Sequence, residues 1–115
     1  MIVGIGIDVC PVERFARAAG NQRLLDRLFT PAEHDSSMNR MAGRFAAKEA
    51  LAKALGAPDG MGWHDVEVRK DSHGKPYFAY TGAVADRIAQ LGIATVHLSI
   101  THDAGIAAAV VVCEA

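Results

Sequence analysis

Strict alternation along the first residues of the chain places the strongest constraint on its fold. β-Branched side chains recur at every second position, which predicts a β-strand over residues 2–9. Its apolar face consists of Val3, Ile5, Ile7 and Val9, and its other face of Gly4, Gly6 and Asp8. A strand face without side chains lets a backbone or a ligand come close, and this face ends in a carboxylate.

Residues 41–55 give the clearest helix prediction, because alanine and leucine dominate this stretch and Gly56 follows as a stop signal. Upstream, Thr30 stands three residues before Glu33 with a proline between them. This spacing is typical of a capping box, so a short helical turn is predicted to begin there.

The rest of the chain alternates between helical and strand periodicity. The remaining predicted elements are a helix from Pro11 to about residue 28 with a break at Gly20-Asn21, polar loops over 34–40 and 57–62, strands over 64–69 and 77–80 around a turn at 71–74, a helix over 83–91, and a terminal hairpin with strands over 96–101 and 106–112 around a turn at 101–105. This mixture predicts an α+β fold, a single small domain over residues 1–115 in which an antiparallel sheet packs against helices.

Charge and hydropathy exclude several classes of protein. The formal net charge of −1 argues against bulk binding of nucleic acid. No apolar run approaches the roughly 20 residues of a membrane-spanning helix, and the N-terminus lacks the features of a signal peptide, so we expect a cytoplasmic protein without a membrane partner. Cys10 and Cys113 have neither metal-ligand nor disulfide-framework spacing and are expected to be reduced thiols.

The charges of the helix predicted over residues 41–55 do not share one solvated face. At about 100° per residue, Arg44 and Lys48 lie in line with two leucines, whereas Glu49 and Lys53 lie nearly opposite them. In the ordinary interpretation, Glu49 and Lys53 form an i,i+4 pair while Arg44 and Lys48 extend their charged ends to solvent. The alternative is that these charges belong to a binding site.

Asp8 favours the binding site, although a carboxylate at a strand end is more often a turn or helix cap. With Glu49 it supplies two hard oxygen ligands, and Mg²⁺ usually takes one or two protein carboxylates together with water and substrate phosphate. Arg44, Lys48 and Lys53 provide the cations that phosphate oxygens require. A metal, carboxylates and a cation cluster together indicate a phosphoryl-transfer site.

Two further segments fit such a site, but each is a weak signal alone. Gly74-Lys75-Pro76 offers a cation on a stiffened turn, and Thr101-His102 offers a hydroxyl and an imidazole at the end of a strand.

These segments, in this order, resemble the holo-acyl-carrier-protein-synthase family of 4'-phosphopantetheinyl transferases. The matching segments are Gly4-Ile5-Gly6-Ile7-Asp8, Arg14, Gly43-Arg44-Phe45-Ala46-Ala47-Lys48-Glu49-Ala50, Gly74-Lys75-Pro76 and Leu98-Ser99-Ile100-Thr101-His102-Asp103. The resemblance spans nearly the whole chain and implies the 4'-phosphopantetheinyl transferase fold. It implies transfer of 4'-phosphopantetheine from coenzyme A to a serine of apo acyl carrier protein in fatty acid biosynthesis, with release of adenosine 3',5'-bisphosphate.

The resemblance also implies individual roles. Asp8 and Glu49 would hold Mg²⁺ against the diphosphate of coenzyme A, and Glu49 and Lys53 would be the catalytic residues, with Lys53 near the transferring phosphate. The coenzyme A contacts would be Arg44, Lys48, Lys53, Lys75, Pro76, Thr101 and His102, with Arg44 and His102 at the 3'-phosphate end. Either Glu49 or a metal-bound water would take the serine proton.

The implied partners are the carrier protein and further copies of this chain. A basic helix carrying Arg14 would face an acidic helix of the carrier, although a mixed solvated face explains the same charges. The family forms homotrimers with sites at subunit interfaces. Against the family pattern, Thr101 stands where serine is common, Pro11 replaces a commonly acidic position, and the 34–40 segment is short. The preferred carrier, of fatty acid or polyketide type, and the tolerance for acyl-coenzyme A stay open.

Other functions fit the sequence less well. A dinucleotide-binding loop starting at Gly4 lacks its third glycine. Ser99, His102 and Asp103 lie too close in sequence for a hydrolase triad. A small trimeric module that binds a nucleotide without turnover is the alternative outside enzymes, and it would bind coenzyme A without metal-dependent transfer.

Overall fold

The computed structural model describes residues 1–56 and 61–115 and confirms the α+β fold. In chain order, the elements are β1 (Ile2–Pro11), α1 (Val12–Ala18), α2 (Gln22–Leu28), a 3₁₀ turn (Pro31–Glu33), α3 (Met38–Ala54), a 3₁₀ turn (Trp63–Asp65), β2 (Val66–Lys70), β3 (Pro76–Tyr80), α4 (Gly82–Gln90), β4 (Thr95–Asp103) and β5 (Ile106–Glu114). Strands β2 and β3 form an antiparallel hairpin, and β1, β5 and β4 form a second antiparallel sheet in that order.

The register of the three-stranded sheet determines which side chains share a face. Asp8 on β1 and Ile100 on β4 both pair with Ala109 of β5, and His102 on β4 pairs with Ala107. Directly opposed residues point to the same side of a sheet. Ala107 and Ala109 are buried, so Asp8, Ile100 and His102 all lie on the inner face.

Helix α3 packs diagonally across this inner face. A Cβ on Gly6 would lie 1.7 Å from the carbonyl oxygen of Ala50, whereas a Cβ on Gly43 would lie 2.8 Å from the His102 ring. The bare face predicted for β1 therefore receives the backbone of a helix. The N-terminal half of α3 lies near β4, and its C-terminal half lies near β1.

The outer face of the same sheet is apolar and exposed. Ile5, Ile7 and Val9 of β1 are 60%, 62% and 52% exposed, and Val110 of β5 is also exposed. The alternation of β1 is thus confirmed, but the apolar face points outward. An apolar surface of this kind on a small protein is typical of an interaction site.

Several element boundaries differ from those predicted. Part of the predicted 34–40 loop is helical, because Ser37 caps α3 by accepting a hydrogen bond from the backbone N–H of Arg40. Strand β4 continues to Asp103, so the terminal hairpin turns over two residues, Ala104 and Gly105, both with positive φ.

Other local predictions are confirmed. The break between α1 and α2 lies at the predicted position, and the Thr30–Glu33 capping box forms, as a 3₁₀ turn. Of the loop predicted over 57–62, residues 57–60 lie outside the described part of the chain. Within residues 1–56 and 61–115, every helix is too short or too polar to span a bilayer.

Candidate functional site

The first group of candidate residues lies where α3 meets β1. Lys53 of α3 donates hydrogen bonds to Asp8 Oδ1 at 3.1 Å and to the Ile7 carbonyl at 3.0 Å. Burial raises the pKa of Glu49, and the negative charge of Asp8 raises it further, while Lys53 opposes both. Two carboxylates and an ammonium therefore share one small region, and Asp8 is paired rather than acting as a helix cap.

The donor set of this group fits a hard divalent cation. Two carboxylates whose charges repel each other are stabilised by a cation between them. Across the described ranges, no three or more His, Cys, Asp or Glu side chains are placed to hold a metal. Asp8 and Glu49 would supply the one or two protein carboxylates that Mg²⁺ usually takes, with water and substrate oxygens in its remaining positions.

The second group lines a cavity of about 650 Å³ between β4, the β2–β3 hairpin and the N-terminal half of α3. Its polar lining residues are Arg40, Arg44, Glu67, Arg69, Lys70, Tyr77 and His102. Arg44 donates to the Glu33 carbonyl, and His102 Nε2 lies 2.8 Å from the Asn39 carbonyl. An excess of cations over a single carboxylate suits a phosphorylated ligand.

The two groups lie at opposite edges of the three-stranded sheet. Asp8 belongs to β1 and His102 to β4, with β5 between them. Two strand spacings separate the edges by about 10 Å, and α3 covers the space between. One copy of the chain therefore does not bring all the predicted site residues into one pocket.

Like Arg44 and His102, three further predicted site residues lie apart from both carboxylates. Thr101 lies on the outer face in a shallow groove of about 190 Å³ that Ile7 and Val110 also line. Lys75 lines a neighbouring cavity of about 440 Å³, and Pro76 lies between this cavity and the larger basic one.

Lys48 is almost completely buried. Its ammonium donates to Glu33 Oε1 at 2.6 Å and to the carbonyls of Leu28 and Trp63 at 2.8 and 2.9 Å. Burial lowers its pKa, and the hydrogen bond and charge of Glu33 oppose that shift. Lys48 thus neither extends to solvent nor lines the basic cavity in this conformation, and its role in phosphate binding stays a prediction.

Arg14 borders a third, apolar surface. With Arg27 it stands at a cavity of about 280 Å³ whose lining includes Phe15, Phe45 and Trp63. The Phe45 and Trp63 rings stack at 5.7 Å, so part of the wall is a rigid aromatic surface. Arginines beside an apolar recess suit an acidic amphipathic segment.

The sequence interpretation missed two features of the site. Glu33 was assigned only to the capping box, yet its second oxygen also accepts from the Val68 N–H at 2.8 Å. Arg69 and Glu67 lie in the basic cavity and were not assigned. The sequence feature that could have indicated them is the i, i+2 spacing of charged residues along β2, just before the Gly-Lys-Pro turn.

Comparison with known proteins gives concordant results. The family model for the 4'-phosphopantetheinyl transferase superfamily matches residues 4–111. Holo-[acyl-carrier-protein] synthases of Clavibacter sepedonicus and Beutenbergia cavernae are each 54% identical to the chain, covering 99% of it and 97% and 99% of their own lengths.

Solved structures give the same result. The holo-[acyl-carrier-protein] synthase of Neisseria meningitidis superposes with a TM-score of 0.87 at 33% identity, covering 100% of both chains. That of Helicobacter pylori, solved in complex with coenzyme A, superposes with a TM-score of 0.84 at 30% identity, covering 96% of this chain and 99% of its own.

Proposed function

Because this chain belongs to the holo-[acyl-carrier-protein] synthases of the 4'-phosphopantetheinyl transferase superfamily, we propose that it transfers 4'-phosphopantetheine from coenzyme A to a serine of an apo acyl carrier protein. The reaction depends on Mg²⁺, releases adenosine 3',5'-bisphosphate and serves fatty acid biosynthesis in the cytoplasm. Residues 1–115 act as one transferase domain. The observation that carries the proposal is the meeting of Asp8, Glu49 and Lys53 at one end of β1.

Asp8 and Glu49 would hold the metal ion. When bound, Mg²⁺ supplies positive charge that neutralises the diphosphate of coenzyme A and favours its attack by the serine hydroxyl. Lys53 reaches the same region from α3 and donates to the transferring phosphate, in exchange for its present bond to Asp8. Arg44 and His102 bind the 3'-phosphate end of coenzyme A in the basic cavity, near Lys75 and Pro76.

A complete site requires a second copy of the chain, and we propose a homotrimer. The carboxylates and the basic cavity lie at opposite edges of one sheet. This separation supports an arrangement in which one edge of a copy lies against the other edge of its neighbour. The exposed apolar outer face of β1 and β5 supports such contact. Thr101 also lies on the outer face of the sheet, and in this proposal its hydroxyl binds the coenzyme A of a neighbouring copy.

Glu49→Gln tests the metal assignment. The neutral side chain keeps the shape of glutamate but loses its charge, so phosphopantetheine transfer, followed by the mass of the carrier, should fall by at least about a hundredfold, as for a lost charge-stabilising group. Asp86→Asn on the exposed surface of α4 is the matched control and should retain activity. Near-normal turnover of Glu49→Gln would show that Glu49 does not hold an essential metal.

Complementation between two inactive variants tests the shared site. Asp8→Asn and His102→Ala each remove one edge of the site, and mixed oligomers of the two would contain some interfaces with both wild-type edges. Activity should therefore return on mixing, and light scattering should report three times the 12.2 kDa chain mass. If each site lay within one copy, every site would keep one defect and mixing would restore nothing.

A further inference from the structure

The β2–β3 hairpin presents a polar face to the basic cavity. Glu67 and Arg69 are two residues apart on β2, and Tyr77 lies directly opposite Arg69 on β3. The other face of β2, with Val66 and Val68, is buried in the core. A strand anchored by its buried face holds its opposite side chains at fixed positions toward the cavity.

Arg69 is held by a carboxylate at the cavity wall. Its Nε donates to Glu67 Oε1 at 2.8 Å, and Glu67 Oε2 accepts from the Thr30 hydroxyl at 2.8 Å. About one fifth of the Glu67 side chain is exposed, compared with about half of the Arg69 side chain. Glu67 is therefore fixed from two sides and restricts the direction in which the guanidinium extends.

The bond to Glu67 leaves the outer edge of the guanidinium for a ligand. It uses the Nε–H, and the terminal amino groups, which have the Tyr77 hydroxyl beside them, carry the remaining N–H donors of the planar fork. Such an edge binds two oxygens of a phosphate at once, which lysine cannot do. Arg40, Arg44 and Lys70 line the same cavity. Asp35 pairs with the first two, at 3.2 and 3.7 Å, so with Arg69 and Glu67 included four cations stand against two carboxylates and the charge stays positive.

We propose that Arg69 is a specificity-determining residue that binds the 3'-phosphate of coenzyme A, and that Glu67 is its positioning residue. Together they discriminate coenzyme A from dephospho-coenzyme A, which carries a hydroxyl in place of that phosphate. The inference rests on the proposed function, which puts the 3'-phosphate end of the substrate in this cavity, and assigns a residue beyond Arg44 and His102.

Steady-state kinetics with both substrates tests this assignment. For Arg69→Ala, KM for coenzyme A should rise at least about tenfold, the loss expected for a charge-assisted hydrogen bond, with kcat nearly unchanged. KM for dephospho-coenzyme A should hardly change. The KM ratio, defined as KM for dephospho-coenzyme A divided by KM for coenzyme A, should therefore fall by the same factor. Arg87→Ala in α4, outside the cavity lining, is the matched control and should leave the ratio unchanged.

Two more variants separate positioning from stability. Arg69→Lys keeps the charge but loses the fork, so it should recover only part of the KM ratio. Glu67→Gln should lower the same ratio, but less than Arg69→Ala does. A purely structural defect would affect both substrates equally and leave the ratio unchanged, whatever its effect on thermal stability. An equal loss for both substrates in Arg69→Ala would overturn the assignment.

The proposed function can fail separately from this inference. If the wild-type protein transfers nothing from coenzyme A, the proposed function is wrong. Calorimetric titration with adenosine 3',5'-bisphosphate and adenosine 5'-monophosphate then still tests the phosphate site. Arg69→Ala should weaken binding of the first ligand alone, and equal affinity of wild type and variant for it would reject the site.

Discussion

Replacing Lys48 with methionine should strongly destabilise the fold. The side chain is almost fully buried in α3, and its ammonium bonds to Glu33 and to the backbone carbonyls of Leu28 and Trp63. Methionine fills a similar volume but donates no hydrogen bond. The variant would leave the Glu33 carboxylate buried without its counter-charge and two carbonyls without their donor.

The structure sets the size of this effect. Removing one partner of a buried ion pair costs about 3–5 kcal/mol, because the remaining charge stays out of water without compensation. Glu33 keeps the backbone N–H groups of Thr30 and Val68 as donors, so we expect the lower half of that range. A loss of about 3 kcal/mol lowers the melting temperature of a domain this size by roughly 10–20 °C.

Urea unfolding followed by circular dichroism measures the loss. The double variant Glu33→Met, Lys48→Met removes both charges and should be more stable than the sum of the single variants predicts. Lys70→Met, at an exposed position on β2, is the control and should change stability by no more than about 0.5 kcal/mol.

A different result would support the phosphate role that the family resemblance implies for Lys48. If Lys48→Met unfolded within about 1 kcal/mol of wild type while its affinity for coenzyme A fell, the lysine would not be a structural ion-pair partner. That result would refute the buried Lys48–Glu33 ion pair as the state in which Lys48 functions.

Three other outcomes are expected. Gly6→Ala should destabilise the protein by about 3 kcal/mol in urea unfolding, since the new Cβ would overlap the Ala50 carbonyl; an unchanged midpoint would contradict the close contact of α3 with β1. Hydrogen bonds from Arg69 and Thr30 lower the pKa of Glu67 from its ordinary value of 4.5, so the stability that Glu67 contributes is complete above pH 4.5 and is lost as the pH falls through the lowered pKa. The difference in melting temperature between wild type and Glu67→Gln should therefore shrink in acid. A difference that stays constant with pH would exclude this linkage. Arg14→Glu should weaken carrier binding and its salt dependence while coenzyme A affinity stays the same, and equal losses for both would exclude a carrier-facing role.

Local signals predicted much of the fold. These signals act between residues that are close in sequence. They are the glycines of β1, the alanines of α3 and the capping-box residues Thr30 and Glu33, and each lies in an element of the predicted type. The start of α3 was missed because Ser37 supplies its cap from within a polar stretch that resembles a loop.

The placement of the site residues depends on long-range packing. Periodicity correctly put Arg44 and Lys48 opposite Glu49 and Lys53, but it does not reveal that Glu33, 15 residues away, meets Lys48 in the core. Nor does it reveal which face of β1 is inside, since Ile5 and Ile7 would suit a core equally well. Only the contact of the glycine face with α3 leaves these isoleucines exposed.

The most direct test of the proposed function is to weigh an apo acyl carrier protein after incubation with this protein, coenzyme A and Mg²⁺. The carrier should gain the mass of one phosphopantetheine group, and chelation with EDTA should abolish the gain. No gain on several apo carriers, despite measurable binding of coenzyme A, would contradict the account and leave a nucleotide-binding module without transferase activity.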